Sequence, residues 1–289
     1  MLIRFWGVRG SIASPGPETA GVGGNTSCVE VVCGETRFVL DAGTGIRRLG
    51  DAWLGEQSPI EATLLLSHLH WDHIQGIPFF VPAYLPSTRL SVMGPFGDKM
   101  TLRETLSHQM RAPVFPVRLE ELSADIRTRE LRGGETFHVG DAVVRTTKTN
   151  HPGGGLAYRI EHGGHSVVYA TDTEHYACVD PAMRAIADGA DVLVYDSQYT
   201  PEEYSGDRGR SKVGWGHSTF EAGAALARSA AVGRYVLFHH DPQRDDQAVA
   251  AVEARARTLF AASIAAREGM TLTLEQGHLA QCSACTKAA

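Results

Sequence analysis

Short apolar runs alternate with helix-like segments along this chain. The runs are rich in Val, Ile, Leu and Tyr and are bounded by Gly, Pro, Asp or Asn, which is typical of strands. They predict strands at residues 2–6, 28–32, 37–40, 62–66, 89–93, 142–147, 156–160, 166–170, 192–195 and 235–238. Helices are predicted at 45–54, 99–109, 175–188, 218–230 and 245–267. Many strands interspersed with helices favour a layered α/β fold.

The composition is that of a folded protein with a substantial core. Of 289 residues, 43% are hydrophobic. The Gly-, Ser- and Pro-rich stretch at 11–27 follows the first strand too closely to separate domains, so we expect one domain over residues 1–289. The tail after about residue 277 is short, and we expect it to be loose.

Charge and cysteine content narrow the range of partners. Lys and Arg number 27 against 33 Asp and Glu, and this net charge of −6 gives no global basic field for a long nucleic acid. No apolar run has the length of a signal-peptide core or a membrane span, which favours a cytoplasmic protein without a membrane partner. The five cysteines are scattered, which disfavours a disulfide scaffold, and Cys282 with Cys285 is weak evidence for zinc.

One segment concentrates metal-binding side chains. The run His-Leu-His-Trp-Asp-His at 68–73 directly follows an apolar strand. Residues two apart in an extended chain point to the same side, so His68 and His70 can bind one ion together. Asp72 and His73 fall where the chain turns into a helix, and can serve a second ion. These ligand types suit zinc, with manganese, iron or nickel as alternatives.

Three further strands end in residues of the same kind. His151, Asp172 and His239 each come just past an apolar run, and open α/β sheets place their ligand sites at the carboxyl ends of strands. A single His at such a place is more often a hydrogen-bonded structural residue than a ligand. Four groups in the same position reverse those odds and predict a metal centre. His240 competes with His239 for the last ligand position.

A second motif is Gly-His-Ser-Thr at 216–219. Ser218 and Glu221 have the spacing of a capping box, so we expect a helix to begin there. His217 then precedes a helix N-terminus, where free N–H groups attract phosphate, although a helix-capping role explains it equally well. Four residues before it are candidates to contact phosphate or stack a base: Arg208, Arg210, Lys212 and Trp215. A solvated loop with an ordinary buried Trp is the simpler interpretation.

The HLHWDH run resembles the HxHxDH signature of the metallo-β-lactamase-fold hydrolases, and the later candidates follow that family's order over residues 5–246. The resemblance implies a four-layer αββα sandwich that binds two divalent ions, with zinc the leading candidate. One ion would be held by His68, His70 and His151, and the other by Asp72, His73 and His239, with Asp172 between them. Alignment with the family's last ligand favours His239 over His240.

The same resemblance assigns supporting roles to two more positions. Asp41 lies in a loop similar to the family's DxG loop, and would support the ligands from behind. Asn25 would line the site, although a turn is the simpler interpretation of residues 25–27. A histidine at position 70 argues against the oxygen-reducing branch, which carries a carboxylate there.

The GHST motif, followed by a helix and the VLFHHDP run, is similar to ribonuclease Z and the related small phosphodiesterases. In those enzymes the motif histidine contacts phosphate and assists the leaving oxygen. The resemblance therefore implies His217 as the general acid, and Asp72 as a ligand that also orients a metal-bridging hydroxide for attack on phosphorus. Bacterial ribonuclease Z usually carries a long tRNA-gripping arm between the positions of His151 and Asp172, but only twenty residues intervene here.

We therefore predict a dinuclear phosphodiesterase for a small or cyclic, nucleotide-like phosphodiester. Three alternatives remain open: a ribonuclease Z-like RNA endonuclease, a lactonase or thioesterase of the same fold, and a non-enzymatic sensor of metal or nucleotide. Family analogy also allows a homodimer.

Overall fold

The computed structural model describes residues 1–56, 59–97, 99–275 and 278–282. Eight strands form a first sheet: β1 (Leu2–Gly7), β2 (Cys28–Cys33), β3 (Thr36–Leu40), β4 (Glu61–Leu65), β5 (Arg89–Pro95), β6 (Asp125–Leu131), β14 (Thr271–Glu275) and β15 (His278–Cys282). Seven form a second: β7 (Thr136–Val139), β8 (Ala142–Thr149), β9 (Gly155–His162), β10 (His165–Ala170), β11 (Val192–Asp196), β12 (Arg234–Phe238) and β13 (Ser263–Ala265).

The strand directions bring several carboxyl ends to one edge of the second sheet. Its order is β13-β12-β11-β10-β9-β8-β7, with parallel pairing from β10 to β13. The strand β9 is antiparallel to both β8 and β10, so β8 runs in the same direction as β10. The first sheet has the order β15-β14-β1-β2-β3-β4-β5-β6 and is parallel from β3 to β6.

Seven α-helices complete the described part of the chain: α1 (Ile46–Leu54), α2 (Trp71–Ile74), α3 (Leu102–Gln109), α4 (Pro181–Ala187), α5 (Pro201–Ser205), α6 (Phe220–Ser229) and α7 (Asp246–Leu259). Short 3-10 helices lie at Ile77–Phe79, Val81–Tyr84 and Leu119–Glu121. Among the described helices, none is both long and apolar enough to cross a membrane.

Three apolar clusters bind the elements into four layers. The largest draws residues from both sheets, such as Phe38 of β3 and Val194 of β11, and lies between them. A second joins the outer face of the first sheet to α1 and α3, and a third joins the second sheet to α4, α6 and α7. This layering, helix on sheet on sheet on helix, confirms the predicted αββα sandwich.

Several predicted boundaries were wrong for identifiable reasons. The helix predicted at 175–188 begins only at Pro181, because Asp180 caps it and a residue before proline disfavours the helical region. The helix predicted at 245–267 ends at Leu259, since residues Ser263–Ala265 pair with β12 instead. The tail expected to be loose after about residue 277 begins with β15, which pairs with β14. Cys285 lies outside the described residues.

Five of the described strands were not predicted from the sequence: β6, β7, β13, β14 and β15. β6 buries only its last residue, Leu131, so it lacks the apolar run by which the other strands were recognised. It lies at the edge of the first sheet, where polar side chains are tolerated on both faces.

Candidate metal centre

The predicted ligands come from the ends of strands in both sheets. His68 and His70 follow β4, and Asp72 and His73 lie in the short helix α2, which begins at Trp71 as the sequence suggested. The others follow β8, β10 and β12 of the second sheet, whose carboxyl ends share one edge. The sandwich thus brings the two sets face to face.

Asp172 lies between two sets of imidazoles. Its Oδ1 is 3.8 Å from His68 Nε2 and 3.9 Å from His151 Nε2. Its Oδ2 is 3.2 Å from the Nε2 atoms of both His73 and His239. Each carboxylate oxygen therefore faces a different pair of histidines, which is the arrangement required of a ligand shared by two ions.

The remaining ligand atoms complete two compact groups. Potential ligand atoms of His68, His70 and His151 lie within 4.8 Å of one another, and so do those of Asp72, His73 and His239. Asp72 Oδ2 is 3.1 Å from His73 Nε2. Atoms of His68, His73 and Asp172 also form such a group, so the division into two triplets that the family resemblance implied stays a prediction.

An unpartnered nitrogen tests whether the cluster fits metal ions. The Nε2 atom of His68 is buried and makes no hydrogen bond within the described residues. A buried polar atom without a partner is costly, and a divalent ion at this point would supply one. Neutral imidazole together with carboxylate is the donor set that zinc and similar ions prefer. The residues present therefore fit a metal pair.

The electrostatics suit this donor set at most of its members. Burial lowers the pKa of His68, and to a smaller extent the pKa values of His70 and His151, which keeps these imidazoles neutral. Burial also disfavours the carboxylate of Asp172, but the facing histidines outweigh it and hold the pKa of that group well below its usual value. Ionised carboxylate and neutral imidazole are the metal-binding forms. At His73 burial opposes protonation, but the carboxylates of Asp72, Asp172 and Asp41 outweigh it and raise the pKa of the imidazole well above its usual value, so a bound ion has to displace that proton.

Hydrogen bonds to Nδ1 hold most of these rings in place. The ring–partner pairs are His68 with Ser67 Oγ at 3.1 Å, His73 with Asp41 Oδ2 at 2.7 Å, His151 with Gly216 O at 2.8 Å and His239 with Gln198 Oε1 at 2.9 Å. Because Nδ1 is occupied, Nε2 is the nitrogen left for an ion.

Asp41, which contacts the His73 ring, is itself fixed by several hydrogen bonds. It is fully buried and accepts hydrogen bonds from Ser67 N, Ser67 Oγ and Tyr169 OH at 2.7–2.8 Å, besides the one from His73. Four donors thus hold the carboxylate, one on Oδ1 and three on Oδ2, and fix its orientation.

Backbone strain concentrates at the same place. Five non-glycine residues of the described chain have positive φ, and Asp41, Asp172 and His239 are three of them, at 50–61°. Ser11 is a fourth, and its N–H donates to Asp72 Oδ2 at 2.8 Å. Such conformations cost energy and persist where surrounding contacts enforce them, most often at functional sites.

His217 lies beside this cluster and is paired with Asp196. His217 Nδ1 is 2.9 Å from Asp196 Oδ2 and 3.8 Å from Asp172 Oδ1. Burial opposes protonation of His217, but the Asp196 carboxylate outweighs it and raises the pKa of the imidazole to about 9. The Asp196 carboxylate thus favours the protonated form of an imidazole that lies next to the candidate metal ligands.

The sequence matches the Beta-lactamase superfamily domain over residues 36–240, most of the chain. The chain belongs to the beta-lactamase superfamily. Ribonuclease Z from Mycobacterium sp. (strain KMS) is 30% identical over 258 residues, covering 86% of this chain and 88% of that protein. The predicted family, its ribonuclease Z-like branch and the classification as a metal-dependent hydrolase are confirmed.

Solved structures of the superfamily share the fold. The metallo-beta-lactamase fold protein YhfI from Bacillus subtilis superposes with a TM-score of 0.69 at 20% identity, covering 93% of this chain and 97% of that one. A diphosphatase of the PhnP family has the same TM-score at 16% identity, covering 95% of this chain and 98% of the other.

Three residues with important contacts were missed from the sequence. Asp196 is the last residue of β11, so a rule extended to the last residues of the strands themselves could have found it. Gln198, which holds His239, comes two residues later. Glu174 accepts hydrogen bonds from Gly214 N at 2.7 Å and Gly216 N at 2.9 Å, and no sequence pattern signals a contact of that kind.

Two predicted details of the superfamily motifs differ in the structure. The cap of α6 is Thr219, whose side chain accepts from Ala222 N, and not Ser218, whose hydroxyl contacts Tyr195 instead. Asn25 donates its side-chain amide to Glu268 Oε2 at 3.0 Å, so it serves that loop and not the ligand cluster.

The geometry favours His239 over its neighbour as a ligand. His240 Nε2 donates to Ala266 O at 3.0 Å, within the protein interior. Burial lowers the pKa of His240 to about 3, so it remains a neutral, hydrogen-bonded core residue.

The four predicted substrate contacts lie together on the segment 206–216, next to the cluster. Lys212 Nζ lies 4.0 Å from the centre of the Trp215 ring, and the guanidinium of Arg210 lies 5.8 Å from it. Arg208, Arg210 and Lys212 line one cleft. Gly216 closes the segment with φ of 85°, and a Cβ there would lie 2.3 Å from His151 Nδ1, so only glycine fits.

Proposed function

We propose that this hydrolase is a phosphodiesterase that cleaves a small or cyclic, nucleotide-like phosphodiester. The observation that carries the proposal is the Asp196–His217 pair, buried beside the ligand cluster and 3.8 Å from Asp172. A protonated imidazole at that position suits a reaction in which an alkoxide leaves from phosphorus. Similarity to ribonuclease Z, an enzyme named for cleaving RNA, supports the same bond type.

Two divalent ions, zinc in our proposal, would be held by the two triplets of ligands, with Asp172 between them. When bound, such a pair activates water near neutral pH and polarises the phosphoryl group. Asp72 accepts a hydrogen bond from Ser11 N on the oxygen that also faces His73, which fixes the carboxylate. In our proposal Asp72 binds metal and orients the attacking water.

His217 supplies the proton for the leaving oxygen. Asp196 occupies Nδ1, so Nε2 is the nitrogen free to donate. The Asp196 carboxylate raises the pKa of the imidazole, and a raised pKa favours the protonated form that a general acid requires. Asp196 orients the ring by the same contact, as in other catalytic histidine–carboxylate pairs.

The segment between the ligands argues for a small substrate. Residues 155–170 form a hairpin of β9 and β10 with a tight Gly163–Gly164 turn, which leaves no room for a long arm. A net charge of −6 also disfavours binding of a long RNA. Cleavage of RNA is the second candidate, on the strength of the ribonuclease Z relative. A cytoplasmic location and a homodimer remain predictions.

Hydrolysis of bis(p-nitrophenyl) phosphate tests the proposal. The purified protein should turn the ester over, lose activity after chelation, and regain it with zinc or manganese. The variant His217→Ala should lower turnover by about 10²–10⁴-fold and keep its metal content, while His138→Ala, an exposed histidine of β7, serves as control. A protein that carries two metals but cleaves only lactones or thioesters, with full activity in His217→Ala, would contradict the proposal.

A further inference from the structure

We infer that the cleft beside the metal centre binds a second phosphate, so that the preferred ligand is a nucleotide-like molecule carrying a phosphate besides the scissile one. As a statement about the substrate, this rests on the proposed phosphodiesterase function. A cyclic mononucleotide, with a single phosphate, leaves the cleft unused.

The cleft has a volume of about 380 Å³, within the range of small-molecule sites. Its walls are the segment 206–216 on one side and the residues that follow β12 on the other. Besides Tyr199, the cleft is lined by the carboxylates of Glu203 and Asp241 and by the cations Arg208, Arg210, Lys212 and Arg244.

The cations in this cleft divide into two kinds. Arg244 is buried, forms an ion pair with Glu203 and donates to Gln198 O, so its charge is already compensated. Arg208, Arg210 and Lys212 form no ion pair with any described carboxylate. Three uncompensated charges on one short segment stand out in a chain with a net charge of −6.

One of the uncompensated cations, Lys212, is linked to His217 through Tyr199. The Tyr199 ring lies 5.9 Å from the His217 ring and 5.8 Å from Lys212 Nζ. Tyr199 also accepts from Gln198 Nε2, whose amide oxygen holds the ligand His239. Tyr199 is thus part of the wall between the cleft and His217, and in our inference a molecule with its phosphodiester at the metal centre reaches the cleft across this side chain.

The chemistry of the cleft suits a terminal phosphate. Such a group carries a charge of about −1.5 to −2 at neutral pH and three acceptor oxygens, more than an internal diester does. Guanidinium and ammonium groups are the usual protein partners of phosphate. Trp215 is 43% exposed between them and offers a ring on which a base can stack.

Confinement of these charges argues against a long polyanion. A long nucleic acid gains affinity from many cations along an extended track, with one released counterion for each phosphate contacted. Here the uncompensated cations belong to a single segment of five residues. The ligand they suit is short.

Calorimetric binding of two ligands to the full-length protein tests the inference without relying on turnover. Thymidine 3′,5′-bisphosphate should bind at least about tenfold more tightly than thymidine 5′-monophosphate, the modest gain typical of partly exposed ion pairs. In Arg208→Gln/Arg210→Gln/Lys212→Gln this ratio should fall close to one. The control Lys99→Gln/Arg103→Gln/Arg127→Gln removes the same charge from exposed positions outside the cleft and should keep the ratio.

Equal affinity of the wild type for the two ligands, or a preference that survives in the cleft variant, would overturn the inference. Failure of the proposed function gives a different result. A protein that prefers the bisphosphate through the cleft, yet cleaves neither bis(p-nitrophenyl) phosphate nor the dinucleotide TpT, is no phosphodiesterase but still has the second phosphate site.

Discussion

The ligand cluster and the neighbouring segment 206–216 are built in opposite ways. In the cluster, the carboxylates of Asp72 and Asp172 are buried, although His70 is exposed, and most imidazoles are fixed through Nδ1 by a second protein group. On the segment, Arg208 and Arg210 are exposed, and with Lys212 they have no carboxylate partner among the described residues. An unpaired charge costs much free energy when it is buried, so each charge in the cluster needs partners within the protein. An exposed cation is solvated by water and needs no protein partner before a ligand binds.

This difference separates two tasks. A reaction needs its groups in one geometry before the substrate arrives, because reorganisation at that moment costs rate. Recognition of a flexible phosphate tolerates mobile side chains and gains mainly from charge. Changes in the cluster should therefore abolish activity, and changes on the segment should alter preference.

The largest effect is expected from Asp172→Asn, which removes the charge that both ligand triplets share. Activity on bis(p-nitrophenyl) phosphate should fall by at least about 10³-fold, at the upper end for loss of one electrostatic stabiliser. Metal content, measured by atomic emission, should fall with it. Asp188→Asn, an exposed carboxylate that follows α4, is the matched control. Wild-type activity in Asp172→Asn would remove this residue from the site.

Asp196→Asn should act through His217 and change the pH profile. A general acid works in its protonated form, so kcat/KM falls as pH rises through the pKa of His217. Without the Asp196 charge, burial dominates and that pKa drops below its present value of about 9. The alkaline limb should therefore move to lower pH, with a loss of about 10²-fold at neutral pH. A lower rate with an unmoved limb would make Asp196 a structural residue only.

The sequence predicted the cluster better than its surroundings. His68, Asp172 and the other ligand candidates follow apolar strands, and the topology brings strand ends together, so a rule about strand ends was sufficient. Asp196 also lies at a strand end, but it is the last residue of β11 itself, whereas the predicted ligands come after the ends of their strands. Gln198 and Glu174 act through contacts that depend on how loops pack. No hydrophobic periodicity or motif in the sequence marks such contacts.

The boundaries of helices show the same limit. Thr219 and not Ser218 caps α6, although both hydroxyls have nearly suitable spacing, because Tyr195 and His175 contact Ser218. Tertiary contacts from other elements thus decided between two local solutions that were almost equivalent in sequence.

A smaller effect is expected from Asp41→Asn, which weakens support for His73 without removing a ligand. The asparagine amide can keep one hydrogen bond but loses the negative charge that faces Nδ1. Metal affinity, measured by competition with a chromophoric chelator, should fall by about 10–100-fold. Activity at saturating metal should recover toward wild type. Tyr169→Phe removes only one donor to the same carboxylate and should give a weaker effect in the same direction. Unchanged affinity in Asp41→Asn would contradict the supporting role.

The smallest effect is expected from Glu174→Gln, at the contact between the segment 206–216 and the ligand cluster. Glu174 holds the segment 206–216 by accepting from Gly214 N, Gly216 N and Tyr204 OH, and Gly216 O in turn holds His151. Burial raises the pKa of Glu174, but these hydrogen bonds outweigh it and keep the carboxylate ionised. A glutamine cannot accept on both sides, so Glu174→Gln loosens the segment.

We expect KM for a substrate with a second phosphate to rise about fivefold in Glu174→Gln, as loss of one hydrogen bond implies. The fall in kcat should be smaller, because His151 remains a ligand of the cluster. Glu120→Gln, an exposed carboxylate next to α3, is the control. If kcat fell and KM stayed constant, Glu174 would act as part of the rigid ligand cluster and not as a support of the segment 206–216.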